Sequence, residues 1–301
     1  MVKLGVDLCG IPLRNPVIPA SGTFGFGTEM AAHVDLNALG GIALKGCTRE
    51  PRYGNASPRI AECPGGMLNA VGLQNPGVEV VAGEKIPALR RVFDGVVIVN
   101  VSGFSIEEYV FCCRRVAPLA DIVELNISCP NVHGGGMAFG TSPEMAAAVT
   151  AAAREACGKT PLFVKLSPNV TDIVAVARAC EAAGADGLTL INTLLGMRID
   201  IRTRRPVLAN RYGGFSGPAL LPLALRMVHQ VHRACSLPIM GCGRVCSAHE
   251  AVEMMMAGAS AVQVGAQNLR DPFACPRIVG DLPGLLDELG VMDINEIRGV
   301  A

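Results

Sequence analysis

One unit recurs along this chain and limits its fold more than any other feature: a short apolar run, a polar or glycine-rich loop, then an amphipathic helical stretch. The apolar runs are Val17–Ala20, Gly41–Lys45, Val96–Val101, Ile122–Ile127, Leu162–Leu166, Gly187–Ile191, Pro238–Gly241 and Ala261–Gly265. They read as eight buried strands. Helix starts are legible between them. Ser105-Ile-Glu-Glu108 is a capping box followed by Tyr109, Cys112, Cys113 and Val116 at helical spacing, and Ser247-Ala-His-Glu250 is a second, followed by Ala251, Met254, Met255 and Gly258. Ser142-Pro143-Glu144 begins another helix with proline in its first position, and Met145, Ala148, Val149, Ala152, Ala153 and Ala156 are its expected buried stripe. Pro218 opens a helix carrying Leu221, Ala224, Leu225, Val228 and Val231.

Eight strand–helix units predict an α/β chain folded as a (β/α)₈ barrel. Half of the residues are hydrophobic and 17% are charged, which suits a parallel sheet covered on both faces. A doubly wound open sheet would carry its phosphate loop after the first strand. Here that place holds Ser21-Gly-Thr-Phe-Gly-Phe-Gly27, a loose glycine run without the dinucleotide fingerprint. Val2–Leu8 and Ile11–Leu13 predict a small N-terminal hairpin. No low-complexity linker interrupts the chain, so residues 1–301 are expected to form a single domain. Two stretches exceed ordinary barrel loops: Thr48–Gly77, rich in Pro, Gly and Asn, and Asn192–Gly217, which carries Arg198, Arg202, Arg204, Arg205 and Arg211. Both follow strands, which puts both insertions on the active-site face.

Composition removes several function classes. Lys+Arg and Asp+Glu balance at 26 each, and aromatics are 4% with no Trp, so neither a polyanion surface nor a base-stacking platform is expected. Lys3 and Asp7 interrupt the N-terminus before any signal-peptide core, and no apolar run reaches membrane-span length. A cytoplasmic protein is the expectation. Its twelve cysteines include no Cys-x-x-Cys, and Cys112 and Cys113 fall on an apolar helix face, so reduced thiols are expected. Cys242 and Cys246 stand without partner ligands, so no metal site is assigned.

Barrel enzymes hold their chemistry at strand C-terminal ends. Lys45 closes the second strand and Lys165 the fifth, and each reads either as a fixed cation aimed at a developing anion or as half of a structural ion pair. Asn100, Asn126 and Asn192-Thr193 end the third, fourth and sixth strands and offer uncharged donors and acceptors for a planar ligand; turn geometry is the alternative. Strands seven and eight end in Gly241-Cys-Gly-Arg244 and Gly265-Ala266, whose backbone N–H groups suit a phosphate, or whose glycines relieve tight turns. After the fourth strand the chain turns through Ser128-Cys-Pro-Asn131 to His133 and Gly134–Gly136. Cys129 there reads as a structural thiol, a nucleophile or a general base. The last requires thiolate from a group whose ordinary pKa is about 8.5, and a nearby lysine favours it.

Taken in order, these segments resemble the dihydroorotate dehydrogenases. The likeness is carried by Ala20-Ser-Gly-Thr-Phe-Gly-Phe-Gly27, Leu44-Lys-Gly46, Met67-Leu-Asn-Ala-Val-Gly-Leu-Gln-Asn-Pro-Gly77, Glu124-Leu-Asn-Ile-Ser-Cys-Pro-Asn131, Val164-Lys-Leu-Ser167, Ile191-Asn-Thr193 and Gly213-Gly-Phe-Ser-Gly-Pro218. Leu194–Asp200 and Thr203–Ala209 resemble the class 1B catalytic subunit in particular. The base position holds Cys129 rather than the serine of the membrane-associated class, and the chain begins directly with its hairpin where that class has an amphipathic membrane segment.

The resemblance implies FMN, held by Ser21, Lys45, Gly46, Asn100, Asn126, Lys165, Ile191, Gly217, Gly243, Arg244, Gly265 and Ala266. It implies a dihydroorotate site at Lys45, Asn69, Ala70, Val71, Gly72, Leu73, Asn126, Asn192 and Thr193. Cys129, Lys45 and Lys165 would be the catalytic groups: Cys129 takes the C5 proton of dihydroorotate, a hydride passes from C6 to the flavin, and Lys165 lies at the N1/O2 edge. The family pattern after strand seven is Gly-x-Gly-Gly, whereas here Arg244 stands in the last place. The chain has neither clustered cysteines for an iron–sulfur site nor an NAD fingerprint. The resemblance therefore implies a partner subunit with FAD and a [2Fe–2S] cluster that passes electrons to NAD⁺, in a heterotetramer built on a homodimer of this chain. Alternatives are a flavin barrel acting on uracil-like rings, as in dihydropyrimidine dehydrogenase, the fumarate-linked class 1A enzyme, a non-catalytic flavin-binding subunit, and a flavin-free phosphate-binding isomerase.

Overall fold

In the computed structural model, which describes residues 2–128 and 137–301, eight parallel strands form the centre of the molecule. They are β1 (Val17–Pro19), β2 (Gly41–Ala43), β3 (Val96–Val101), β4 (Ile122–Asn126), β5 (Leu162–Lys165), β6 (Gly187–Leu190), β7 (Ile239–Cys242) and β8 (Ala261–Val264). Their spatial order is β1-β8-β7-β6-β5-β4-β3-β2, every pairing parallel. The two ends of the sheet meet where Gly40 N–H, just before β2, donates to the Val17 carbonyl at 3.0 Å. The expected (β/α)₈ barrel is therefore present, each strand within a residue or two of its expected place. Buried on both faces, the strands read as mostly apolar runs, broken by a few buried polar residues, rather than as alternating ones.

Six helices form most of the outer layer: α1 (Ile106–Val116), α2 (Pro143–Cys157), α3 (Ile173–Ala182), α4 (Leu221–His232), α5 (Ala248–Met256) and α6 (Ala274–Glu288). The expected caps form. Ser105 accepts from Glu108 N–H, Ser142 from Met145 N–H and Ser247 from Glu250 N–H. Cys112 and Cys113 are fully buried, and all eleven described cysteines are free thiols.

The buried face of α2 differs from expectation: it is Ala146, Val149, Thr150, Ala153 and Cys157, and Met145 is 41% exposed. Seven alanines in that helix leave its apolar face poorly marked in the sequence. The N-terminal hairpin is also shorter, pairing Val6–Leu8 with Ile11–Leu13. The residues before it run to the C-terminal segment instead, Lys3 N–H donating to the Met292 carbonyl at 2.9 Å.

The two insertions are not plain loops. Together they build a four-stranded antiparallel sheet in the order Leu194–Met197, Tyr212–Ser216, Gly66–Asn69, Ile60–Cys63, over a small apolar cluster of Ala61, Leu68, Ala70 and Leu208. This sheet aligns Asn69 with Gly214 and Met67 with Ser216, and so ties the first insertion to the second. Close backbone approach makes the contact possible. A Cβ on Gly66 would lie 2.1 Å from the Ser216 carbonyl, and one on Gly217 would lie 2.0 Å from that of Gly65. Backbone cannot swing aside as a side chain can. Gly66→Ala is therefore expected to cost about 1–3 kcal/mol, read as a lower urea midpoint; an unchanged midpoint would contradict this packing.

Candidate active site

At the C-terminal mouth of the barrel, five side chains from five strands meet in one buried network. Glu124 of β4 has no exposed surface. One carboxylate oxygen, Oε1, accepts from Asn100 Nδ2 of β3 at 2.7 Å. The other, Oε2, accepts from Thr189 Oγ1 of β6 at 2.9 Å and from Gln263 Nε2 of β8 at 2.6 Å. Lys165 of β5, 5% exposed, donates to Gln263 Oε1 at 2.9 Å and lies 3.6 Å from Glu124 Oε1. Register explains the meeting: Asn100 is aligned with Glu124, and Thr189 with Lys165, so their side chains project to the same side of the sheet. Burial pushes the neighbouring Cys242 thiol up; Lys165 opposes that rise and Glu124 adds to it.

A second cluster sits above β4 and β6. Asn126 Oδ1 accepts from the Ser128 hydroxyl at 2.8 Å, and Ser128 Oγ accepts from Asn192 Nδ2 at 2.7 Å. The Tyr109 hydroxyl, reaching up from α1, donates to the Asn126 carbonyl at 2.8 Å. Asn192 Oδ1 in turn accepts from Thr193 N–H at 2.8 Å. These bonds tie the ends of β4 and β6 together. Cys129, Pro130, Asn131, His133 and Gly134–Gly136, which follow Ser128 directly, lie outside the described residues.

Lys45 lies two residues beyond the end of β2, in the turn that leaves the strand rather than in it. Its Nζ would be 3.4 Å from a Cβ on Gly22, which brings it beside the loop after β1 that carries Ser21. Lys45, Gly22, Phe26, Arg52 and Val71 line a cleft of ≈ 540 Å³. Val71 belongs to the expected substrate segment 69–73, which Asn55 supports: its backbone N–H reaches the Val71 carbonyl at 2.9 Å and its Nδ2 reaches the Ala70 carbonyl at 3.0 Å. Asn69 Nδ2 donates to the Gly214 carbonyl at 3.4 Å. Leu73, at φ 57°, and Gly72, at φ 77°, turn the chain there.

The phosphate candidates occupy the turns after β7 and β8. Ile191 N–H donates to the Cys242 carbonyl at 2.7 Å, which joins the end of β6 to the β7 turn. The β8 turn is tied to the β1 loop, because Asn268 Nδ2 donates to both the Val264 carbonyl and Thr23 Oγ1. Nothing would meet a Cβ on Gly265 within 4 Å, so the space over this turn is open. Arg244 adopts φ 65°, and its Nη1 pairs with Glu250 at the start of α5. Glu250 also accepts from Cys246 N–H at 2.7 Å. The Arg244 side chain is thus committed to its own helix start, and what it presents toward the turn is its backbone.

A protein-family profile described as dihydroorotate dehydrogenase matches residues 3–286. The chain belongs to the dihydroorotate dehydrogenase family. Relatives named "Dihydroorotate dehydrogenase B (NAD(+)), catalytic subunit" include one from Geobacillus sp. (strain WCH70), 56% identical over 99% of this chain and 96% of that protein. Another, from Bacillus cytotoxicus, is 56% identical over 99% of this chain and 97% of that protein. The chain thus falls among the class 1B catalytic subunits. A crystal structure of an Eimeria tenella dihydroorotate dehydrogenase in complex with ferulenol superposes with a TM-score of 0.83 at 22% identity, covering 99% of this chain and 88% of that one, which speaks to the fold alone.

Within this family site, sequence reading missed Glu124, Thr189, Gln263 and Ser128. A signal for three of them was available. Glu124, Thr189 and Gln263 are polar residues inside otherwise apolar strands, and a polar group there is buried only with a partner.

Proposed function

We propose that this chain oxidises dihydroorotate to orotate with bound FMN, and that electrons leave through a partner subunit carrying FAD and a [2Fe–2S] cluster to NAD⁺. The observation that carries the cofactor reading is a pair of orphaned polar atoms. Asn100 Oδ1 and Ser102 Oγ are buried with no hydrogen-bond partner among the described residues. Beside them, a Cβ on Gly46 would come within 2.4 Å of Asn100 Oδ1, so only glycine leaves that oxygen accessible. Unpaired buried acceptors and donors are costly, and a flat ring edge with N–H and C=O groups satisfies them. The residues present therefore fit the flavin that the family implies.

FMN bound there supplies a two-electron acceptor. Asn100, Lys165 and the Gly46 turn would hold its ring edge, with Ser21, Lys45, Asn126, Ile191 and Gly217 around it. The backbones of Gly243, Arg244, Gly265 and Ala266 would hold its phosphate. Lys45, Asn126, Asn192, Thr193 and segment 69–73 would grip dihydroorotate and fix its C5 toward Cys129, which acts as general base. Lys45 and Lys165 place positive charge where negative charge develops. We assign the chain to the cytoplasm as one domain in a homodimer flanked by two electron-transfer subunits; among the described residues no helix is long and apolar enough to cross a membrane.

The deciding experiment is anaerobic. The purified protein is expected to be yellow and to bleach with dihydroorotate but not with dihydrouracil. Equal bleaching by both would favour a uracil-type substrate, and a colourless protein would remove the flavin reading altogether.

A further inference from the structure

The buried acid Glu124 has no part in the proton and hydride chemistry, yet it holds two groups that the cofactor reading uses, Asn100 and Lys165. Four residues from four other strands converge on Glu124: Asn100, Thr189, Gln263 and Lys165. We propose that Glu124 is a positioning residue for the cofactor, orienting the two amides and one ammonium that would line its site, and that its fixed charge sets the midpoint potential of the bound flavin. This inference rests on the FMN reading above.

The orienting role follows from what each group can donate. A carboxylate is an acceptor on all its lone pairs, whereas a side-chain amide can face either way. Because both Glu124 oxygens accept, Asn100 and Gln263 must each turn their NH₂ toward it. The carbonyl of Gln263 then faces Lys165 and accepts from Nζ at 2.9 Å. The carbonyl of Asn100 is left directed elsewhere, buried and without a partner among the described residues, beside Gly46. One acid thus fixes which atoms these residues would offer to a bound ring. A neutral amide at residue 124 would present one donor of its own and force one of these neighbours to flip.

Packing alone does not call for this arrangement. Barrel interiors are ordinarily filled by branched apolar side chains, and taking an ion pair out of water costs more than such packing does. The electrostatic consequence has a definite sign. A flavin gains electrons on reduction, so a nearby cation eases the change and a nearby anion opposes it. Glu124 lies 3.6 Å from the Lys165 ammonium, which is the cation the site would place at the ring edge. The carboxylate therefore offsets part of the lysine's pull, and in a water-poor interior that offset is large.

The test is the midpoint potential of the purified holoenzyme, read by anaerobic titration against a reference dye at mildly alkaline pH. Glu124→Gln is expected to keep FMN and to shift the reduction equilibrium toward the reduced form by at least about tenfold, which for a two-electron couple is about 30 mV. FMN retained with an unchanged potential overturns the proposal while leaving the flavin reading intact. A wild-type protein that carries no flavin overturns both. Should Glu124→Gln fail to fold or to hold FMN, Thr189→Val decides. It removes one hydrogen bond from the carboxylate with little change of shape and is expected to lower the potential measurably. An unmoved potential in that variant also overturns the proposal, since a merely structural acid would leave the flavin's energetics alone.

Discussion

Replacing Cys129 with alanine is expected to slow flavin reduction by dihydroorotate at least about 100-fold while FMN remains bound, the low end of what a positioned acid or base contributes. The reasoning starts from the neighbouring residues. Ile127 and Ser128, the two positions before Cys129, are buried, and the Ser128 hydroxyl is held between Asn126 and Asn192. The chain thus leaves β4 from a fixed point, with two of the expected substrate-binding asparagines at that point. A thiol must ionise to accept a proton, so flavin reduction should rise with pH toward the ordinary thiol range, near about 8.5, and sooner if Lys45 lies close. Cys129→Ser, which installs the base of the membrane-associated class, should move that rising limb to higher pH rather than abolish it. Stopped-flow traces over a pH series measure both effects. Near-normal reduction in the alanine variant would eliminate Cys129 as the base.

The barrel was legible because its signal is carried by runs of apolar residues. Strands β1 to β8 are buried on both faces, so nothing polar needed to mark their phase. Their limits followed from where the apolar runs stop. The capped helix starts were legible for a local reason: Ser105, Ser142 and Ser247 each satisfy a backbone donor within three residues. Apart from the phase of the alanine-rich α2, what failed depended on contacts distant in sequence. The Pro- and Gly-rich composition of Thr48–Gly77 marked an insertion but no strand, yet Ile60–Cys63 and Gly66–Asn69 pair into a sheet completed by Tyr212–Ser216, about 145 residues away (Asn69 to Gly214). Glycines there are not loop punctuation but the means by which two backbones touch.

The site divides along the same line. Residues at strand ends, such as Asn100, Asn126, Lys165 and Asn192, could be located from the strand pattern alone, and the structure places them at the barrel mouth in two hydrogen-bonded clusters. Arg244 could not be resolved that way, because its partner Glu250 is fixed only once α5 is capped. Glu124 escaped for a different reason. It lies mid-strand and its four partners come from four other strands, so no spacing along the chain reveals them.

Removing the lysine from that network is expected to have the largest combined effect. Lys165→Met should leave Glu124 buried without its cation, a loss of about 3–5 kcal/mol of stability for breaking one side of a buried pair. It should also slow flavin reduction by at least about 100-fold, the scale of losing one fixed group that stabilises developing charge. Stability and chemistry can be separated by adding the second substitution. In Lys165→Met combined with Glu124→Gln no lone charge remains in the barrel, so the denaturant midpoint should recover most of its loss. The rate should not recover, because nothing then stands at the ring edge to balance negative charge. A double-mutant cycle read on both quantities shows strong coupling for stability and little for rate if Lys165 acts on the chemistry. Recovery of the rate along with the midpoint would instead reduce the lysine to a counter-ion for Glu124, and the charge at the flavin edge would have to come from Lys45.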